Sequence, residues 1–250
     1  IYLAVILLAI FLLIGYIWKV LNTSDFFSVK QVIVRNFDAS FDYLKGRNIF
    51  SLDLRKESRN ILASYPNYRA VKLARVLPDR IFVNFIKRRP VALVKLQRYF
   101  ILDENGVFFY TTDQIEASQL PVILGLETKI FGPKPGKSYY NIKELLVALS
   151  IIKEVKRNNL LKDYRIKSIN VAGLANTSIL IYSPLVAQGF IRGQLKQAWP
   201  LLEVRLGKDK LRQKFVILAG ILTEPRLDAA NIKYIDLRFK EAVIKFNDAK

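Results

Sequence analysis

The chain opens on an unbroken uncharged run, Ile1 to Trp18, IYLAVILLAIFLLIGYIW. At about 1.5 Å per residue, a helix of roughly eighteen to twenty-one residues spans the hydrocarbon layer of a bilayer. Tyr16 and Trp18 stand near one end, where interfacial aromatics belong. A helix buried in a soluble core is rarely apolar on every face for so many turns. The residues that follow, Trp18-Lys19-Val20-Leu21-Asn22, lack the small-residue pattern of a signal-peptide cleavage site. The run therefore reads as a retained membrane anchor, and no later stretch is long and apolar enough to cross again. The chain starts on Ile rather than Met, so a leading segment carrying the orienting charges is expected before it.

Beyond a polar spacer, Asn22 to Asp25, the pattern changes to short alternations. Phe26 to Arg35 reads as a strand, with Val32 and Val34 alternating against polar positions. Asp38 to Gly46 predicts a short helical turn stopped by Gly46. Asp53 is placed to cap a second helix that turns Leu54, Ile61 and Leu62 inward and ends before Pro66. Tyr68–Val76 and Arg80–Lys87 predict a hairpin about Leu77-Pro78-Asp79, with Ile81, Val83 and Phe85 on one face. Pro90 ends it. Strand, helix, helix, strand, strand can close a small core with helices on one face of a three-stranded sheet.

A second unit follows from about Val91. Val91 to Leu96 reads as a strand. Tyr99–Leu102 and Val107–Tyr110 flank Asp103-Glu104-Asn105-Gly106, a strong hairpin signal. Leu120 to Leu124 is a short apolar run. Asn141 to Arg157 is an amphipathic helix facing the core through Ile142, Leu145, Leu149 and Ile152, with Asn141 and Glu144 arranged as a capping box. Strands are expected over Tyr164–Val171, Ser178–Tyr182 and Leu201–Arg205. A helix is expected over Asp209–Leu222 with Leu211, Phe215, Leu218 and Leu222 inward and Pro225 beyond its end. Two last strands, Ile232–Phe239 and Ala242–Phe246, are separated by Lys240-Glu241. The fold class is α+β: an anchor at residues 1–21, a small unit over 26–90, and a mostly antiparallel β-domain with packed helices over 91–250.

Charge and composition narrow the chemistry. The 250 residues carry 40 Lys plus Arg against 21 Asp plus Glu, a formal net charge of +19, all of it beyond Trp18. The excess is spread along the chain with no block of five like charges, so it ranks as surface electrostatics first, then affinity for an anionic envelope surface. Nucleic acid is not read as a partner. Cys, His and Met are absent. That removes disulfides, thiol catalysis and the Ser-His-Asp triad. Carboxylate pairs, Ser-Lys dyads and oxygen-ligated metals remain conceivable, and each has a plain alternative.

Gly132-Pro-Lys-Pro-Gly136-Lys137-Ser138 looks like a phosphate loop, but it has one residue too few between its glycines, and its prolines lack N–H groups for phosphate. It reads as a connector. Asp103-Glu104 are neighbours on a tight turn and point apart. Ser150-Ile-Ile-Lys153 fits the bare Ser-x-x-Lys spacing inside a helix that packing already explains. Asp236 and Arg238, two apart on a strand, face one side, which could be a site or a solvated strand face with a cross-strand ion pair, and read as structural. Lys87-Arg88-Arg89 reads as a solvated strand end. No cofactor and no metal are implied.

Several short segments, in order, resemble the FtsQ/DivIB family of cell-division proteins. They are Asn48-Ile49-Phe50-Ser51-Leu52-Asp53, Leu77-Pro78-Asp79-Arg80 with Arg88-Arg89-Pro90-Val91-Ala92, and Asp103-Glu104-Asn105-Gly106-Val107-Phe108. The late ones are Glu203-Val204-Arg205-Leu206-Gly207-Lys208 and Tyr234-Ile235-Asp236-Leu237-Arg238-Phe239. The resemblance implies a POTRA domain (β-α-α-β-β) at 26–90 and the family's β-domain at 91–250. It implies a non-enzymatic, single-pass protein of the cytoplasmic (inner) membrane, with its bulk outside that membrane at the division septum. It further implies a scaffold for FtsB/FtsL-like partners, which control septal peptidoglycan synthesis, and contacts to other division proteins through the POTRA domain.

By the same resemblance the partner-binding residues are Arg238 and Phe239, then Lys240, Glu241, Ala242, Val243 and Ile244 on a following strand. A partner strand would add to this last sheet edge, where backbone groups are unpaired. Lys87 and Arg88 stand where the family often has Glu, and the basic excess is high for it. The alternative is a tethered module binding anionic envelope polymer or lipid, or a POTRA-type polypeptide chaperone.

Overall fold

The computed structural model describes residues 2–109, 120–161, 164–182, 201–224, 227 and 231–247. Tyr110 and Pro225, named above as a strand end and a helix stop, lie outside them. The first helix, α1 (Tyr2–Thr23), is 22 residues long. Its Val5–Thr23 portion is long and apolar enough to cross a membrane, and none of it is buried against protein. In its last turn the Asn22 side-chain amide and the Thr23 hydroxyl donate back to the Trp18 and Lys19 carbonyls, one turn earlier in the helix. The chain divides into two compact units, Ile1–Arg88 and Arg89–Lys250.

In the first unit, β1 (Gln31–Arg35), β2 (Tyr68–Val76) and β3 (Arg80–Lys87) form a sheet in the order β1-β3-β2. The parallel β1–β3 register sets Gln31 beside Arg80, and the β2–β3 hairpin closes with Val76 opposite Arg80. Helix α2 (Leu54–Ser64) starts where the Asp53 carboxylate accepts from the amides of Arg55 and Lys56. Ile81, Val83 and Phe85 alternate into the core with Ile61, Leu44 and Ile49. Rings of Phe37, Phe41, Tyr65 and Tyr68 surround Phe85 at 4.4–5.8 Å.

Two expectations for this unit change. The residues before Gly46 make only a 3₁₀ turn, Asp42–Leu44. Phe41 and Leu44 are both buried there, and so short a segment gains its stability from burying them rather than from a costly α-helical nucleus. The order is thus strand, turn, helix, strand, strand. The first strand also starts late, because Asp25–Phe27 is a 3₁₀ turn capped by Ser24.

The second unit is built on β4 (Pro90–Lys95), β5 (Tyr99–Asp103), β6 (Phe108–Phe109), β7 (Val122–Leu124), β8 (Arg165–Asn170), β9 (Ser178–Tyr182), β10 (Leu201–Arg205), β11 (Ile232–Asp236) and β12 (Val243–Phe246). They make one sheet in the order β12-β11-β10-β9-β8-β7-β4-β5-β6. Five of its eight pairings are antiparallel; β10–β11, β4–β7 and β7–β8 are parallel. Helices α3 (Lys143–Arg157) and α4 (Leu211–Thr223) supply Leu145, Leu149, Ile152, Phe215 and Leu218 to its core. Asn158 at the end of α3 donates to the Phe215 carbonyl of α4.

The capping box does not form. Ile142 is the N-cap and has no side-chain bond to the helix amides, and Glu144 faces Lys129 at 3.7 Å instead. The Asn105-Gly106 turn forms as expected, with Asp103 accepting from the amides of Asn105 and Val107.

Candidate partner-binding edge

The two ends of the large sheet differ. At β6, the returning chain closes the edge: Gly136 donates to the Phe108 carbonyl, Tyr139 to the Gly106 carbonyl, and Val107 bridges Ser138. The phosphate-loop lookalike is therefore a connector whose amide is spent on the sheet. At the other end, β12 pairs antiparallel with β11, setting Val243 opposite Asp236, Ile244 opposite Ile235 and Lys245 opposite Tyr234. It is the last strand of the order. Ile244 packs against the core, while Val243 and Phe246 are about half exposed.

Behind this edge lies a polar face. The β10–β11 register sets Glu203 beside Tyr234 and Arg205 beside Asp236, with Val204 and Ile235 buried on the opposite side. Arg205 holds Glu203 at 3.0 Å and lies 4.1 Å over the Tyr234 ring. Asp236 stands on the polar face yet is only 3% exposed, because Arg238 folds over it. Arg238 also reaches the Asn176 side-chain oxygen at 2.6 Å. The Arg238 hydrogen bonds hold the Asp236 carboxyl below the usual carboxylate range, against the effect of burial.

The Leu206-Gly207 turn seats this arrangement. Gly207 has φ +62°, and a Cβ there would meet the Ala175 carbonyl at 3.3 Å and the Arg238 Cγ at 3.7 Å. Amides of Leu206 and Gly207 both donate to the Thr177 carbonyl, and Leu237 donates to that of Arg205. The Lys214 ammonium donates to the Leu206 carbonyl, and burial pulls its pKa down. The two late sequence signatures are thus one constellation.

Of the residues named from sequence, Arg238 and Asp236 do pair, but within one strand end rather than across strands. β11 stops at Asp236, since that carboxylate accepts the Arg238 amide and curls the chain out of the ladder. Phe239, Lys240, Glu241 and Ala242 consequently lie in the β11–β12 connection, and only Val243 and Ile244 are on β12. Phe239 is 63% exposed, with the Arg238 guanidinium 5.8 Å from its ring.

Glu203, Arg205 and Tyr234 enter the sequence reading only within the family-like segments, with no role given to them, and Asn176 does not enter it. Glu203 and Arg205, two apart on a strand, carried the same signal as Asp236 and Arg238. Elsewhere, Asp103 is buried capping its own turn, and Ser150 and Lys153 are both exposed on α3. Arg88 donates to the Pro66 carbonyl. Among the described residues no group of three or more acidic, His or Cys side chains gathers as a metal site.

An apolar N-terminal helix and two α+β units, the second built on a nine-stranded sheet that ends in β12, define an anchored α+β protein. The profile of the family described as "Cell division protein FtsQ/DivIB, C-terminal" matches residues 92–238. Cell division protein FtsQ of Syntrophotalea carbinolica is 25% identical over 240 residues, covering 92% of this chain and 78% of that one. FtsQ of Koribacter versatilis is 23% identical, covering 96% of this chain and 68% of its own. Cell division protein DivIB of Clostridium tetani is 24% identical, covering 91% and 78%. The chain belongs to the FtsQ/DivIB family of cell division proteins, as a single-pass membrane member.

Proposed function

We propose that this chain is a non-enzymatic scaffold of the bacterial division machinery that receives a strand from an FtsB/FtsL-like partner at β12. Residues 26–90 act as a POTRA domain that contacts other division proteins, and residues 91–250 carry the partner edge. The bulk of the chain stands outside the cytoplasmic membrane at the septum, and its occupancy controls septal peptidoglycan synthesis. One observation carries this reading: β12 is a terminal strand with exposed Val243 and Phe246, beside exposed Phe239, on a rigid polar base. An unpaired edge offers backbone bonds for affinity and alternate side chains for specificity.

The test is binding of the whole chain in detergent or nanodiscs to the extracellular segments of an FtsB/FtsL pair from the same organism, at low and high salt. Strand addition predicts salt-tolerant binding that is lost on truncation before Ile232. Binding that survives the truncation, or that vanishes with salt, would overturn the edge as the site.

A further inference from the structure

The tip of the β2–β3 hairpin lies at the anchor end of the first unit, and its chemistry fits the surface the anchor enters. Four hydrogen bonds tie it there. The Asn48 side chain donates to the Leu21 carbonyl at the end of α1, at 2.9 Å. Arg75, on the hairpin, donates to the carbonyls of Ile49 and Leu52, in the loop that carries Asn48, at 2.7 Å each. Lys30, seven residues beyond Thr23, donates its amide to the Asp79 carbonyl in the hairpin turn at 2.8 Å. The parallel β1–β3 register then runs both strands away from this end together.

What the tip presents is apolar and cationic. Leu77 is 58% exposed, and Val76 beside it and Phe26 on the linker are also exposed. Buried neighbours explain none of these. Around them stand Lys30 and Arg80, each 3.7 Å from Asp79, and Arg75, whose guanidinium is held by the Ile49 and Leu52 carbonyls; Asp79 and Asp25 are the acidic residues beside them. Apolar side chains that enter the headgroup layer, ringed by Lys and Arg that meet lipid phosphates, are the pattern of a surface lying on a membrane.

We infer that the Val76–Leu77 tip, with Phe26, Lys30 and Arg80, docks onto the anionic phospholipid surface around α1 and sets the tilt of the first unit on the bilayer. This rests on α1 spanning the membrane and is independent of any strand added at β12.

The chain has no cysteine, so a single spin label can be placed by Leu77→Cys, with Lys87→Cys as the reference. Lys87 is at the far end of β3, roughly 23 Å from Arg80 at the hairpin turn, at about 3.3 Å per residue. The labelled full chain is inserted into mixed phosphatidylcholine–phosphatidylglycerol nanodiscs, and accessibility to lipid-soluble oxygen is compared with that to an aqueous nickel chelate. The expected result is an oxygen-to-nickel ratio several-fold higher at Leu77→Cys than at Lys87→Cys. Adding Lys30→Glu and Arg80→Glu should return the Leu77→Cys label to water, with circular dichroism unchanged. Equal water access at both labels overturns the docking; a label that stays shielded in the charge-reversed chain overturns the role given to lipid phosphate.

Discussion

Arg238 closes a fork on Asp236, two residues before it, with Nε 3.0 Å from Oδ1 and Nη2 2.6 Å from Oδ2. The same guanidinium reaches Asn176, so one side chain joins the end of β11 to the turn before β9. The two late signatures of the chain meet at this point.

Asp236→Asn therefore weakens the second unit by about 2 kcal/mol at neutral pH, the scale of hydrogen bonds to a charged group. The carboxyl pKa is lowered in the folded state, first by the Arg238 hydrogen bond. Its stabilisation is then present above the unfolded value of about 3.9 and fades as pH falls through the lower folded value. Denaturant midpoints of both proteins from neutral to strongly acid pH should converge at the acid end. A constant gap would show that charge is not the cause.

At the edge, Phe239→Lys and Val243→Pro each lower affinity for the FtsB/FtsL segments about tenfold or more, roughly 1.4 kcal/mol. The first removes an exposed ring beside the partner path; the second removes a backbone donor and distorts β12. Calorimetry or surface binding reads the loss, and far-UV circular dichroism checks that the sheet is kept. Wild-type affinity in both variants would contradict the edge site.

The core of the first unit depends on Phe85, buried to 1% exposure within its ring cluster. Phe85→Ala costs about 4 kcal/mol. Two compact units predict that this loss falls on one unfolding step and leaves another in place. Scanning calorimetry of the variant tests that separation, and a single shifted transition would contradict it.

Gly125 has φ +88°, and a Cβ there would lie 2.3 Å from the Ala172 backbone nitrogen. Gly125→Ala costs about 3 kcal/mol or more, since backbone strain and overlap add. Gly220 sits in α4 with nothing within 4 Å of a built Cβ, so Gly220→Ala stabilises by about 0.5–1 kcal/mol. Thermal unfolding should move in opposite directions for the two.

The elements were largely legible because alternation and turn chemistry are local. The β2–β3 hairpin and β10 stand where the residue pattern places them, down to their ends. The sheet order was not legible. Nothing in the period of Val122–Leu124 announces that it inserts between β4 and β8, because long-range pairing is set by the whole core. The helix expected before Gly46 was overread from a segment too short to hold one. β11 is shorter than the expected Ile232–Phe239 because Asp236 reads as one more alternating position, whereas its carboxylate turns the chain. That Asp236 and Arg238 face one side was legible; their pairing with each other, and the Asn176 contact sixty-two residues away in the chain, were not.

The closed β6 border gives the large sheet a direction. The proposed partner strand extends the order beyond β12, while among the described residues the 136–139 segment already bonds to the Gly106 and Phe108 carbonyls at the far side. A second copy's β12 laid on β6 would meet carbonyls already bonded to Gly136 and Tyr139. With a strand added at β12 as proposed, this sheet would act as a terminus with a valence of one, ending a chain of strands rather than propagating it.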